Sequence, residues 1–325
     1  MRRRPVLAGL AAILASAPAY AQGQGPRRIG VLMGYSEDDP GASDYITALT
    51  QGLNARGWKL GGNIEIVWRW AKGMPALFER NAVELVALKP DALLAQGTPS
   101  VKALKGIAGS IPIVFTIVTD PVGQGMVESL AHPGGTVTGF TDFDPAMAGK
   151  WMELLSQVTP KVSRVAALFN PETAPFAPQM IKAIEQAAPS FGITATAAPC
   201  RDEAAIEAAL GAHDGALGAV ALPDLFNLVH RRAIVAAAAR HRVPVIYFNR
   251  TFTAADGLMS YGVDYADQFK RAAGYFDRLL KGTSVADLPV QQPAEFDLTV
   301  NLRTAKALGI ELPQTMISVA DEVIE

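Results

Sequence analysis

Gly97-Thr98-Pro99-Ser100 is the segment of this 325-residue chain best equipped for chemistry. It follows a short apolar run and opens a stretch with helical spacing. Thr98 suits an N-cap and Pro99 the first helical position, which would aim backbone N–H groups beyond the preceding strand. A helix N-terminus beside a hydroxyl receives a carboxylate, and the same segment also reads as an ordinary cap. Asp120-Pro121 follows the next apolar run, and its carboxylate suits either a ligand ammonium or a turn. Asp142 and Asp144 resemble an acid/base pair, but their setting reads as a solvated interdomain loop.

Catalytic signatures are otherwise missing from the sequence. It has no G-x-S-x-G elbow and no G-x-x-x-x-G-K-[ST] phosphate loop, and Gly123-Gln-Gly125 lacks the third glycine of a dinucleotide fingerprint. His132, His213, His230 and His241 are scattered without metal-ligand spacing, so no metal, cofactor or catalytic residue is expected. The single Cys200 rules out an intramolecular disulfide and reads as a small buried side chain.

These groups sit in a regular alternation. Strand-like runs at 28–33, 64–70, 92–95 and 112–116 alternate with helical patterns at 43–56 and 75–88 and a helix opening after 96–100. That order predicts a parallel sheet with helices on both faces. The pattern then restarts. The run at 164–169 answers 28–33, 219–222 answers 92–95, and Val243-Pro-Val-Ile-Tyr247 answers Ile111-Pro-Ile-Val-Phe115. Two similar α/β units follow, with ligand loops beyond the carboxyl ends of their strands, at 34–40, 96–100, 118–121, 170–175, 223–227 and 249–252. A cleft between two such lobes suits hinge closure on a small molecule.

Composition sets limits on partners. Half the residues are hydrophobic and the formal charge is −2, which gives no reason to expect nucleic acid. Arg2, Arg3 and Arg4, an apolar run over 6–17 and Ala19-Tyr20-Ala21 read as a signal peptide over 1–21, cleaved before Gln22. The apolar run is shorter than the ~20 residues of a membrane span.

Several segments, in order, resemble the family of ABC-transporter solute-binding proteins that includes tryptophan- and tyrosine-associated members. They include Leu88-Lys-Pro-Asp91, Asp120-Pro-Val122, Leu130-Ala-His-Pro-Gly-Gly-Thr-Val-Thr-Gly139, Gly257-Leu-Met-Ser-Tyr-Gly262, Ala305-Lys-Ala-Leu-Gly309 and Ala320-Asp-Glu-Val-Ile324. The resemblance runs from about Ile29 to the C-terminus. It implies the type I periplasmic-binding fold, two Rossmann-like lobes joined by a three-segment hinge. Lobe 1 would span 27–139 with a returning segment at 264–286, and lobe 2 would span 143–255 with 296–325. The hinge would lie at 138–143, 248–256 and 287–296. It further implies a monomer in the periplasm that delivers a small solute, amino-acid-like or an aromatic or carboxylate compound, to a permease and its ATPase. An exported sensor of the same fold is the alternative. On that frame the ligand-binding residues expected are Tyr35, Ser36, Gly97, Thr98, Ser100, Thr119, Asp120 and Phe140. Asn170, Asp224, Asn249, Tyr261 and Asp264 complete the set, with the far-lobe members meeting solute on closure.

Overall fold

The structure, a computed structural model, describes residues 25–211 and 215–325. The expected leader at 1–21, its cleavage point and His213 lie outside the described residues. The chain folds as the alternation predicts, into two α/β lobes.

Lobe 1 runs β1 (Arg27–Met33), α1 (Pro40–Asn54), β2 (Ile64–Trp70), α2 (Pro75–Ala87), β3 (Ala92–Gln96), α3 (Gly97–Lys105), β4 (Ile113–Val118) and β5 (Val137–Thr141). Lobe 2 begins with α4 (Ala146–Ser156), β6 (Arg164–Phe169), α5 (Ala177–Ala187), β7 (Thr194–Pro199), α6 (Glu203–Gly211) and β8 (Leu217–Ala221). It continues through α7 (Leu225–Val229), α8 (Arg231–His241), β9 (Val245–Tyr247) and β10 (Met259–Gly262). Helix α9 (Tyr265–Leu280) returns to lobe 1 and packs on α1 and β4. Lobe 2 is then completed by β11 (Asp297–Asn301), α10 (Leu302–Leu308), α11 (Gln314–Ser318) and β12 (Glu322–Ile324).

The repeat seen in the sequence reappears as topology. Lobe 1 orders its strands β2-β1-β3-β4-β5, and lobe 2 repeats that order as β7-β6-β8-β9-β10 before adding β11 and β12. Strands β3 and β4, and β8 and β9, are almost wholly buried runs, as expected of a parallel sheet covered on both faces. One pairing departs from the all-parallel expectation: β10 and β11 run antiparallel, because β11 enters lobe 2 from the hinge instead of through a crossover helix.

The second crossing also differs from expectation. Residues 248–256 stay within lobe 2, where Thr253–Ala255 form a short 3-10 turn, and β10 follows in the lobe 2 sheet. The chain therefore passes to lobe 1 at Val263 and Asp264. At the third crossing the backbones of 139–141 and 291 pair side by side. Thr141 N donates to Gln291 O at 2.9 Å and Gln291 N to Gly139 O at 2.9 Å. Buried Gln268 stitches the same corner, accepting from Ile117 N at 2.8 Å and donating to Thr141 O at 2.9 Å.

Candidate functional site

In each lobe the strand order reverses beside the first strand, and the crevice beyond the strand ends at that reversal is where open α/β sheets bind ligands. The two crevices face each other. At that meeting lies a small cavity of about 20 Å³. Lobe 1 supplies Gly97, Thr98, Thr119 and Asp142, with Tyr265 from the returning helix. Lobe 2 supplies Thr173, Phe176, Asp224, Leu225 and Phe248. A larger open recess of about 950 Å³ lies between α1, α8 and α10 and reaches Thr251 and residues 254–256 after β9.

The lobe 1 wall is built by local backbone irregularity. Gly97 opens α3 with φ +78°, a conformation that favours glycine. Gln96 occupies the N-cap without a side-chain cap; its Oε1 instead accepts from Gly34 N at 2.8 Å, tying two ligand loops together. Thr98 is therefore not the cap, and its hydroxyl lies 3.2 Å from Gln124 Nε2 as acceptor. The end of β4 breaks register against β5, with Ile117 at φ +58° and Asp120 at φ +47°. Positive φ is costly for a β-branched residue, and such breaks re-aim side chains near sites. Between these two residues stands Thr119.

Asp142 is the centre of this wall. It is 3% exposed, accepts from Thr119 Oγ1 at 2.7 Å and from Tyr265 Oη at 3.3 Å. Burial pushes its carboxyl up to about 6, against the opposing pull of the Thr119 and Tyr265 hydroxyls. Across the cleft Asp224 caps α7, accepting from Phe226 N at 3.1 Å, Asn170 N at 2.7 Å and Thr173 Oγ1 at 2.5 Å. Burial pushes this carboxyl up to about 6 as well. Among the described residues no Lys, Arg or His lines the cavity. The arrangement offers two carboxylates and several hydroxyls, facing the unpaired N–H groups of a helix start.

The lobes touch around this cavity. Arg231 Nη1 of α8 binds Asp39 Oδ2 at the start of α1, at 2.9 Å, with both side chains largely buried. Gly34 lies so close to Leu225 that a Cβ there would stand 2.9 Å from the leucine methyls.

The expected ligand residues divide. Gly97, Thr98, Thr119 and Asp224 line the cavity. Tyr35, Ser36, Ser100, Asn170 and Asn249 do not. Tyr35 is buried against the Tyr45 ring at 5.8 Å, and Ser100 lies on the buried face of α3. Asn170 and Asn249 accept from Glu172 N and Thr251 N of their own loops, and Asn249 Nδ2 also donates to Val263 O at 3.4 Å. Asp120 does not line the cavity; its backbone is left-handed and its carboxylate accepts from Gly123 N at 2.9 Å within its own turn. Phe140 packs on Tyr275 and under Arg271, and Asp264 caps α9; both border a recess at the hinge. Tyr261 stacks on Phe296 within lobe 2, since it lies on β10 before the crossing.

Sequence reasoning set Asp142 aside as part of a solvated loop and did not single out Tyr265, Thr173 or Phe176. Asp142 is a buried residue at the end of a strand, not part of a solvated loop. The β-branched and aromatic run Val137-Thr-Gly-Phe-Thr141 carried the strand signal that would have found it. Cys200 is buried, with its thiol pushed up to about 11, chiefly by burial. Among the described residues no cluster of His, Cys, Asp or Glu is placed to hold a metal, and no helix is long and apolar enough to cross a membrane.

Comparison with known proteins agrees with this architecture. The family model described as ABC transporter substrate binding protein matches residues 34–324. A tyrosine-binding protein of Clostridioides difficile is 27% identical over 288 residues, 88% of this chain and 81% of that protein. A conserved domain protein from Vibrio cholerae is 29% identical, with a TM-score of 0.83 over 91% of this chain and 99% of that one. A Streptococcus pneumoniae ABC domain solved with L-Trp has a TM-score of 0.84 at 23% identity, over 92% of this chain and 100% of that one.

Proposed function

The chain belongs to the ABC transporter substrate-binding protein family, and on that premise we propose that it is the exported, monomeric solute-capturing component of an import system. In this reading it works in the periplasm and hands its solute to a membrane permease driven by an ATPase. The solute is amino-acid-like. Its ammonium group sits between Asp142 and Asp224, and its acceptor end meets the first turn of α3. The observation that carries this reading is a buried interlobe cavity with two carboxylates and no cationic side chain among the described residues. A buried carboxylate without a counter-charge is costly, and a ligand ammonium supplies that charge. The tyrosine-binding relative and the L-Trp complex are consistent with such a ligand.

Loading requires motion. A cavity of about 20 Å³ holds little more than one water, against the roughly 300–1,000 Å³ of small-molecule sites. The lobes therefore separate about the three crossings to admit solute and close again over it. The Arg231–Asp39 pair, which joins the lobes, belongs to the closed arrangement. Solute drives closure through its higher affinity for the closed state, where both walls reach it.

The test is native mass spectrometry of protein purified without refolding, followed by calorimetry with whatever copurifies and with the common L-amino acids. An amino acid or related amine bound at one per chain is expected. Binding only of neutral sugars or of anions lacking an amine would overturn the head-group assignment.

A further inference from the structure

Helix α7 carries part of the lobe 2 wall of the cavity, with Asp224 as its cap and Leu225 and Leu228 lining it. Leu225 and Val229, four positions apart, share one face of this helix. Each meets a glycine of lobe 1. A Cβ on Gly34 would stand 2.9 Å from both Leu225 methyls, and one on Gly73 would stand 3.3 Å from Val229 Cγ2. The two glycines belong to different loops that are bonded side by side. Gly73 N donates to Gly34 O at 2.7 Å and Lys72 N to Tyr35 O at 3.1 Å. Lys72 and Gly73 are both left-handed, at φ +53° and +71°, in the turn that lays this segment beside 34–35. The result is a platform of bare backbone, and α7 approaches it more closely than a side chain there would allow. Arg231 Nη1 joins the two sides, donating to Asp39 Oδ2 of lobe 1 and to Leu228 O of α7, each at 2.9 Å.

We propose that α7 is a closure latch: Leu225 and Val229 seat on the Gly34–Gly73 platform only when the lobes shut, and this seat strengthens solute binding from outside the cavity. Val229 is then a positioning residue. It does not line the cavity and acts on solute only through the lobes it brings together. The inference rests on the proposed capture by closure and adds a contribution to affinity that is independent of what the solute is. Solute alone could bridge two lobes that never touch. Here the lobes also hold each other, and whatever the seat contributes to the closed state raises the apparent affinity of any solute that needs that state. The seat is also weak enough to open. Val229 remains 37% exposed, so its two methyl groups are only partly withdrawn from water.

The geometry supplies its own test. A Cβ on Gly73 would lie 3.9 Å from Val229 Cβ, within the roughly 3.5–4.5 Å that a disulfide spans. The full chain carrying Gly73→Cys and Val229→Cys is oxidised without added solute, and its thiols are counted after unfolding. The count should fall to the native Cys200 alone, through a bond within one chain. Solution scattering should then give a smaller radius of gyration for the cross-linked protein than for the same protein reduced. Thiols that stay free, or equal radii in the two forms, overturn the latch. Calorimetry with L-tyrosine as the probe reads the affinity. Val229→Ala, which keeps a helix former in place, should bind it about three- to tenfold more weakly than wild type with a native melting curve. Unchanged affinity removes Val229 from control of binding and overturns the positioning role. If L-tyrosine does not bind the wild type, the solute reading has failed separately, and cross-linking and scattering decide the latch by themselves.

Discussion

The two lobes each bring one buried carboxylate to the cleft, and the two are held in opposite ways. Asp224 also carries architecture: two backbone N–H groups and one hydroxyl fix it as the cap of α7 and the clasp of the 170–173 loop. Asp142 accepts from two side-chain hydroxyls, which rotate and can rearrange around a ligand. Burial raises both to about 6, yet their bonds differ. Similar acidity in a cleft does not make two acids equal partners of a ligand; what each carboxylate is already bonded to decides how far it can turn to the ammonium.

The largest expected effect separates them directly. Asp142→Asn should weaken an amine-bearing solute by roughly 10- to 150-fold, the worth of one charge-assisted bond. The same variant should melt at a higher temperature than wild type at pH 7.5. The folded pKa of about 6 lies above the unfolded value of about 3.9, so the buried charge costs stability above pH 6. That cost, at most about 3 kcal/mol, fades as pH falls and is gone below pH 4, where the two proteins should melt together. Asp224→Ala is compared below pH 4, where its carboxyl, raised to about 6 like that of Asp142, no longer carries a charge cost. It strands two buried backbone donors and should lower stability there by about 2 kcal/mol in urea titrations, while Asp142→Asn matches wild type. If both variants match wild type below pH 4, the contrast between the two acids is wrong.

A pH titration of affinity sharpens the same contrast. At pH 5 an acid with a pKa of about 6 is only about one-tenth ionised, so calorimetry should find at least about tenfold weaker binding of an amine than at pH 7.5. In Asp142→Asn the residual dependence should follow Asp224 alone. A profile in wild type that stays flat from pH 7.5 to 5 would remove both carboxylates from ligand contact.

Next comes the contact between lobes. Arg231→Met leaves Asp39 without its partner across the cleft and should weaken binding by about three- to tenfold, because closure then carries a cost. Solution scattering should give a smaller radius of gyration with solute than without for the wild type, and a larger ligand-free radius for the variant. Superimposable wild-type curves with and without a tight ligand would contradict hinge closure. The smallest effect belongs to Asp120→Ala, which loses only the bond to Gly123 N in its own turn and should change affinity by less than about threefold. A tenfold loss there would mean that the turn opens and Asp120 enters the site.

Much of this protein was legible in the chain. The alternation of short buried runs with amphipathic stretches dictates two α/β units, and the matched runs at 28–33 and 164–169 became the equivalent strands β1 and β6. Because side chains at strand ends in such sheets face the ligand, the loops carrying Gly97, Thr119 and Asp224 could be named without coordinates. What periodicity does not contain is direction. Whether Asp120 or Asp142 turns into the cleft depends on two positive-φ residues and a register break at the end of β4, none of which has a residue-type signature, since Ile117 is a poor candidate for that conformation. Asp142 is buried because Tyr265 reaches it from 123 positions away on a helix that crosses back between lobes. The crossing at 263–264, and not at 248–256, follows from β10 pairing with β9 and β11. Local sequence determines elements because propensity and burial patterning act over a few residues. The tertiary structure decides the site because long-range strand pairing and the meeting of two lobes set which side chains share the cleft.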